Sequence, residues 1–388
     1  MKMKIKIDDR VTDILKSFKL PDEIGFGTTI APVMITCDFK EGIWETPKLG
    51  PYGPLKLQPT AKIFHYGQEI FEGMKAYRVN KKGPYLFRPL ENYKRFNSSA
   101  ERMAMPFIPE DLFMGTIKAL VDKVSPFIPN QSGDSLYIRP FMISTENHLG
   151  IAPSKEFKFI VVASPSASYF KKEKPIDVFI ERFYVRAVEG GTGQAKTGGN
   201  YASGLVSAMK AEKLGYSQTL WLDAERRKDC EEMSGMNLFV VKNGKLVTPA
   251  LTGTILEGIT RSSLIRIAKD HNIDVEERSL GLKELIQGVK EGQITEAFAC
   301  GTAVILKSIS SFGEEDGTTY KIQSKESEYT YQGEKVRGQI GTFLKEMLLS
   351  LQEGRSKDPY GWRVKVPTSV DSYQKVTKGD NQQVHLDC

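Results

Sequence analysis

Residues 189–201 read Glu-Gly-Gly-Thr-Gly-Gln-Ala-Lys-Thr-Gly-Gly-Asn-Tyr and set one lysine, Lys196, among five glycines just ahead of a helical pattern. Glycine lets backbone approach a ligand closely. A nucleotide-binding P-loop requires GxxxxGK followed by Ser or Thr, and Gly190 through Lys196-Thr197 supplies all of it except the glycine before the lysine, where Ala195 stands. The missing glycine carries the tight turn around the phosphates, and no apolar strand ending in a magnesium-binding aspartate stands out. Alone, the segment reads as a glycine-rich surface loop, so its meaning depends on the rest of the chain.

The chain has 388 residues, 40% hydrophobic and 26% charged, which suits a globular protein of two domains. Lys plus Arg number 54 against 48 Asp plus Glu, a formal charge of +6. The dense runs Lys171–Lys174 and Glu225–Lys228 mix signs, as solvated surface does, and argue against nucleic acid as a partner. Cys37, Cys230, Cys300 and Cys388 are far apart and form no CxxC or Cys/His cluster, which points to free thiols in a reducing compartment. His65 and His148 are isolated, so no metal site is expected. The N-terminus lacks an apolar signal region and no run reaches 18 apolar residues; the expectation is a cytoplasmic protein with no membrane partner.

Working outward, the first half shows β-like runs at 28–39, 73–78 and 85–88, and helical patterns at Leu90–Met105 and Asp111–Val124. A strand pair, Leu136–Ser144 and Phe157–Ala163, brackets the loop Thr145–Ser154. Composition turns small, polar and charged at Ser164–Pro175, which reads as an inter-domain linker. Strands at Asp177–Val185, Gln218–Leu222 and Leu238–Val241 then alternate with helices at Asn200–Leu214 and Arg261–His271, predicting an α/β domain. The expected division is a smaller α+β domain over 1–171, a linker over 172–185, a larger α/β domain over 186–366, and a polar C-terminal extension over 367–388 that is poorly ordered.

Eight segments in order, Phe64–Arg78 (FHYGQEIFEGMKAYR), Leu86–Pro106, Ser135–Pro140 (SLYIRP), Gly193–Tyr201, Leu220–Asp223, Glu231–Phe239 (EEMSGMNLF), Leu251–Arg261 (LTGTILEGITR) and Glu296–Ala303, resemble the branched-chain amino-acid aminotransferases, pyridoxal-phosphate enzymes of fold type IV. The resemblance runs from near residue 20 to near Val366. It implies a two-domain fold and reversible ping-pong transfer of the amino group of leucine, isoleucine or valine to 2-oxoglutarate, with pyridoxal 5′-phosphate as cofactor. Lys196 is the implied Schiff-base lysine and proton carrier. Glu232 is the carboxylate implied for the pyridine nitrogen, with its neighbour Glu231 as the confounder, and Tyr201 is implied for the phenolic oxygen. The phosphate falls to Arg95, the backbone at Gly258-Ile259-Thr260 and Thr302, because a helix start presents N–H donors to anions. Glu257 stands where many relatives have proline.

For the substrate, the resemblance implies an aromatic pocket of Phe26, Tyr66, Tyr137 and Tyr169. Leu149 and Ile151 would come from the loop Thr145–Ser154 of a second subunit, making the enzyme a homodimer with shared sites. Arg139 would take the second carboxylate of glutamate or 2-oxoglutarate, and the Thr302-Ala303 backbone with the Tyr66 hydroxyl the α-carboxylate. Cys300 has no second cysteine beside it, so a redox pair is not expected there. Within the fold type, a D-amino-acid aminotransferase or aminodeoxychorismate lyase is the nearest alternative, disfavoured by SLYIRP and FHYGQEIFEGMKAY. From another class, a nucleotide-binding protein using Gly190–Thr197 stays open.

Overall fold

The computed structural model describes residues 4–78, 82–167 and 174–369. Its first half is built on a sheet whose spine is Ser135–Ser144 paired antiparallel with Phe157–Ser166 along their whole length. Val33–Lys40 joins on one side; Met74–Tyr77 and Tyr85–Phe87 extend the other. In Val33–Lys40 the buried Val33, Ile35 and Cys37 alternate with half-exposed neighbours, the period-two signature of a strand with one covered face.

The helices Pro89–Arg102 and Glu110–Val124 pack on this sheet, where Phe96 meets Phe113 and Phe159 at ring-centroid distances of 5.3 and 5.6 Å. The first begins with proline at its opening position, where the missing N–H is harmless, and ends before Ala104, which adopts a left-handed φ of 52°. The expected span Leu90–Met105 thus starts one residue late and overruns that reversal. Similarly, the β-like run at 28–39 becomes strand only from Val33.

The second sheet closes on itself. Met236–Lys242, Ile294–Gly301, Ile305–Gly313, Ile176–Ile180, Gln218–Leu222 and Asp229–Met233 each pair with the next, and the last returns to the first through Glu232↔Asn237 and Met233↔Met236. Both faces are covered. Leu238 and Val240 pack in one core with the helix Leu282–Lys290, while Phe239 and Val241 share another with the helices Ile259–Asp270 and Ile340–Glu353. The expected alternation of strands and helices holds only in part: four strands from Gln218–Leu222 to Lys245–Thr248 follow one another without a helix, only Ile176–Ile180 is parallel to both neighbours in this ring, and the other ladders of the ring are antiparallel.

Within the span expected as linker, 172–185, Ile176–Ile180 is a strand of the ring. Ser164 and Ser166 complete Phe157–Ser166, and residues 168–173 lie outside the described residues. The chain also returns late to the first sheet, where Arg363–Lys365 pairs with Tyr85–Phe87. Of the expected extension, the Ser369 N–H donates to Asp122 at 2.7 Å, and residues 370–388 are not described. The single helix expected over Asn200–Leu214 is two pieces, Gly199–Ala202 and Leu205–Lys213, parted at Gly204, where a Cβ would lie 3.1 Å from the Trp221 ring.

Candidate active site

A pocket opens where the two sheets face each other, lined by Phe71, Gly73, Tyr137 and Arg139 of the first and by Lys196, Glu232, Asn237, Gly258–Thr260 and Gly301–Ala303 of the second, with Arg95 at its edge. Lys196 is clamped through its own backbone. Its carbonyl accepts the Phe71 N–H at 2.9 Å and its N–H donates to Ser99 Oγ at 2.9 Å. The side chain is thereby aimed inward, Nζ lying 2.8 Å from the Tyr201 hydroxyl and 4.7 Å from the Phe71 ring centre. Desolvation there, aided by the charge of Arg95, pulls the ammonium down to about 8. Burial lifts the Tyr201 phenol to about 12. The helical turn after Lys196 spans only Gly199–Ala202, too short to be the helix that follows a P-loop.

Opposite stands Glu232. Successive side chains of a strand point to opposite faces, and in Asp229–Met233 this separates the two glutamates. Glu232 lines the pocket with Lys196, whereas Glu231 lines a different cavity beside Asp223 and Thr254. Glu232 forms an ion pair with Arg186 Nη2 at 2.6 Å and accepts from Asn237 Nδ2 at 3.0 Å and the Leu256 N–H at 3.1 Å. Burial pushes its carboxyl up to about 7 against the pull of Arg186. Asn237 also donates to the Leu256 carbonyl at 3.0 Å, tying the carboxylate to the segment that leads into Ile259–Asp270.

At that helix start, Ile259 and Thr260 line the pocket beside Thr302, and a Cβ on Gly258 would collide with Asn237 Oδ1, so no side chain fits there. Arg95 reaches the same corner from the helix Pro89–Arg102. Its guanidinium grips the fully buried Glu72 at 2.6 and 2.9 Å and donates to the Glu257 carbonyl at 2.8 Å. These contacts use three of its five N–H donors and leave two for a ligand. Burial alone would lift Glu72, but Arg95 holds it below the ordinary carboxylate range. The same helix face adds Asn92, which donates to Glu72 at 2.7 Å, and Arg102, which donates to the carbonyls of Gly190 and Gly191 at 2.7 and 3.0 Å.

At the far end, Arg139 lies over the Phe71 ring at 4.6 Å and donates to the Tyr137 hydroxyl at 2.8 Å, and Phe26 packs edge-on against Tyr137. Lys75, buried and lowered to about 8 by that burial, donates to the Ala303 carbonyl at 2.8 Å. One expected residue, Tyr66, is elsewhere, beside Leu149 and Ile151, which were expected from a second subunit's loop. Tyr66 does not line this pocket; it is 40% exposed and its hydroxyl donates to the Leu149 carbonyl, while Leu149 and Ile151 are 60% and 90% exposed. The expectation that Tyr66 borders its own chain's pocket is corrected: it belongs with the loop that carries Leu149 and Ile151. Tyr169 lies outside the described residues.

Sequence reasoning missed Glu72, Lys75, Arg186 and Ser99. Glu72 and Lys75 sit inside the quoted FHYGQEIFEGMKAYR motif, where charged residues among apolar ones could have prompted the question; Arg186 and Ser99 carry no local signal.

The donor set fits pyridoxal phosphate. Lys196, Arg95, Arg139 and Arg186 outnumber Glu72 and Glu232, as a phosphate dianion and a substrate carboxylate require, and Arg186 Nε is buried without a partner. Among the described residues no group of His, Cys, Asp and Glu can hold a metal, and no helix is long and apolar enough to cross a membrane.

Comparison with known proteins accords with this arrangement. The chain is 41% identical over 349 residues to "Branched-chain-amino-acid transaminase 1" of Bacillus subtilis (strain 168), covering 89% of this chain and 95% of that one. It is 40% identical over 370 residues to "Probable branched-chain-amino-acid aminotransferase" of Staphylococcus aureus (strain N315), with 95% and 99% covered. A crystal structure of the T.th. branched-chain amino acid aminotransferase with pyridoxamine 5′-phosphate superposes with a TM-score of 0.67 at 29% identity over 85% of this chain and 98% of that chain. The family model described as "Amino-transferase class IV" matches residues 69–312. That span holds every pocket residue named above except Phe26, and the chain belongs to the class IV aminotransferases.

Proposed function

We propose that this protein is a branched-chain amino-acid aminotransferase, pyridoxal-phosphate dependent, moving the amino group of leucine, isoleucine or valine reversibly to 2-oxoglutarate. The observation that carries the reading is Lys196 Nζ facing Glu232 across one pocket whose far end holds a guanidinium, Arg139, packed on aromatic rings. When bound, the cofactor supplies a carbonyl that condenses with amines and a ring that withdraws electrons.

The chain's own groups supply the rest. Lys196, its ammonium lowered to about 8, keeps a neutral Nζ fraction that would hold the cofactor and would carry a proton to and from the substrate Cα. Tyr201 orients that nitrogen through its hydroxyl. Glu232, fixed by Asn237, the Leu256 N–H and Arg186, holds the proton on the ring nitrogen. Arg95, Thr302 and the backbone of Ile259 and Thr260 receive the phosphate. The Thr302-Ala303 backbone receives the α-carboxylate, and Lys75 fixes the Ala303 carbonyl. Arg139 receives the second carboxylate of glutamate or 2-oxoglutarate. For leucine, Phe26, Phe71 and Tyr137 offer apolar contact.

Tyr66, hydrogen-bonded to the Leu149 carbonyl, stands at the surface with Leu149 and Ile151 of the loop Thr145–Ser154, which supports a homodimer in which this group completes the neighbour's site. The free thiols of Cys37, Cys230 and Cys300 support a reducing, cytoplasmic location. The test is an amino-donor screen with 2-oxoglutarate on yellow holoenzyme, with borohydride trapping of the cofactor on Lys196 read by mass spectrometry. Leucine, isoleucine and valine should be accepted; activity confined to D-alanine would overturn the substrate class.

A further inference from the structure

Glu69 opens the three-residue strand Glu69–Phe71, which pairs antiparallel with the strand bearing Arg139. Its carboxylate accepts the Gly198 N–H and, at 3.4 Å, the Thr197 hydroxyl, the two residues directly after Lys196. Two positions on, the Phe71 ring lies 4.6 Å from the Arg139 guanidinium and 4.7 Å from Lys196 Nζ. One short strand therefore carries a carboxylate and, on the same face, an aromatic ring that lies against both Arg139 and Lys196. Arg139 itself is held by a neutral hydroxyl; its Nε is buried without a partner, and among the described residues no carboxylate forms an ion pair with it.

We infer that Glu69 is the through-space counter-charge of Arg139 and sets the balance between an apolar and a carboxylate-ended substrate. A guanidinium left beside methyl groups lacks compensation when leucine is bound, and a fixed negative charge nearby offsets this without occupying the guanidinium's donors. Only a second carboxylate drawn to that end of the pocket by Arg139 comes near the same charge, which opposes it and so trims the advantage that Arg139 confers. Burial pushes the Glu69 carboxyl up, whereas Gly198, Thr197 and Arg139 draw it back. The inference rests on the proposed role of Arg139 in binding the second carboxylate.

Glu69→Gln retains an acceptor for Gly198 and Thr197 while removing the charge. On pyridoxal-phosphate-loaded enzyme, with the half-reactions followed separately by stopped flow, the kcat/KM for 2-oxoglutarate should rise about three- to tenfold relative to that for leucine. Glu69→Ala should show the same shift in ratio on top of a loss common to both half-reactions, because the Thr197-Gly198 turn loses its anchor. In an Arg139→Gln background the shift should vanish. Equal changes in both half-reactions for Glu69→Gln, or a shift that survives Arg139→Gln, would overturn the inference while leaving the Arg139 assignment intact. If Arg139→Gln alone leaves the 2-oxoglutarate half-reaction no worse than the leucine one, the Arg139 assignment fails and this inference falls with it.

Discussion

Glu231 and Glu232 differ in nothing but the side of the strand they occupy, yet one faces Lys196 and the other a separate cavity. Glu232→Gln should lower kcat at least about 100-fold, because an amide cannot stabilise the proton on the ring nitrogen. Glu231→Gln should stay within about threefold, and the reverse ranking in steady-state assays would move the role. Lys196→Ala should lose at least about 10⁴-fold in turnover while retaining wild-type secondary structure and assembly, since no core contact depends on its side chain. The lowered ammonium of Lys196 has its own signature. Only the neutral amine attacks a carbonyl, so cofactor capture by apoenzyme should accelerate as pH rises through about 8 and level off above it. A midpoint near the ordinary lysine value would show that the site does not desolvate Nζ as described. Most of these side chains were legible from motifs, because chemistry demands particular residue types there. Tyr66 was misplaced because a motif records identity, not which side of a surface a ring takes.

The helix Pro89–Arg102 gathers Asn92, Arg95, Ser99 and Arg102 at spacings of three, four and three, one face of a 3.6-residue repeat. That face is polar where an ordinary surface helix would bury apolar residues, because it buttresses the pocket through Glu72, the Lys196 backbone and the Gly190-Gly191 carbonyls. Glu72→Ala leaves Arg95 buried opposite nothing and should destabilise the fold by about 3–5 kcal/mol. Denaturant unfolding would read this as a lower midpoint at unchanged m, and a loss under about 1 kcal/mol would mean that water replaces the carboxylate. The existence of this helix followed from its pattern, and its ends were shifted by the proline start and the Ala104 reversal. The strands Ile294–Gly301 and Ile305–Gly313 and the helix Ile340–Glu353 went unassigned. The strands take partners far away in the chain, as with Phe239↔Phe298, and local periodicity does not register such pairings.

For the whole molecule, the surface position of Tyr66, Leu149 and Ile151 makes the pocket a shared property of two copies under the proposed function. A chain with Lys196→Ala and a chain with Ile151→Asp should each be impaired, yet co-refolded at equal amounts they should regain about a quarter of the wild-type sites, since half the dimers are mixed and each holds one intact site. Activity no higher than the sum of the parents would show that each pocket is complete within its own chain. The closed ring of strands carries a consequence in time. Ile176 meets its partner Ile309 more than a hundred residues later in the chain. At the usual pace of ribosomal elongation the first strand of the ring waits on the order of ten seconds for the strand that seals it. Lys196 is made early in that wait, the wall of Glu232 and Asn237 nearly halfway through it, and the Thr302 corner only near its end. A ribosome stalled before residue 232 therefore holds Lys196 with neither Glu232 nor the Ile259-Thr260 corner to receive a cofactor.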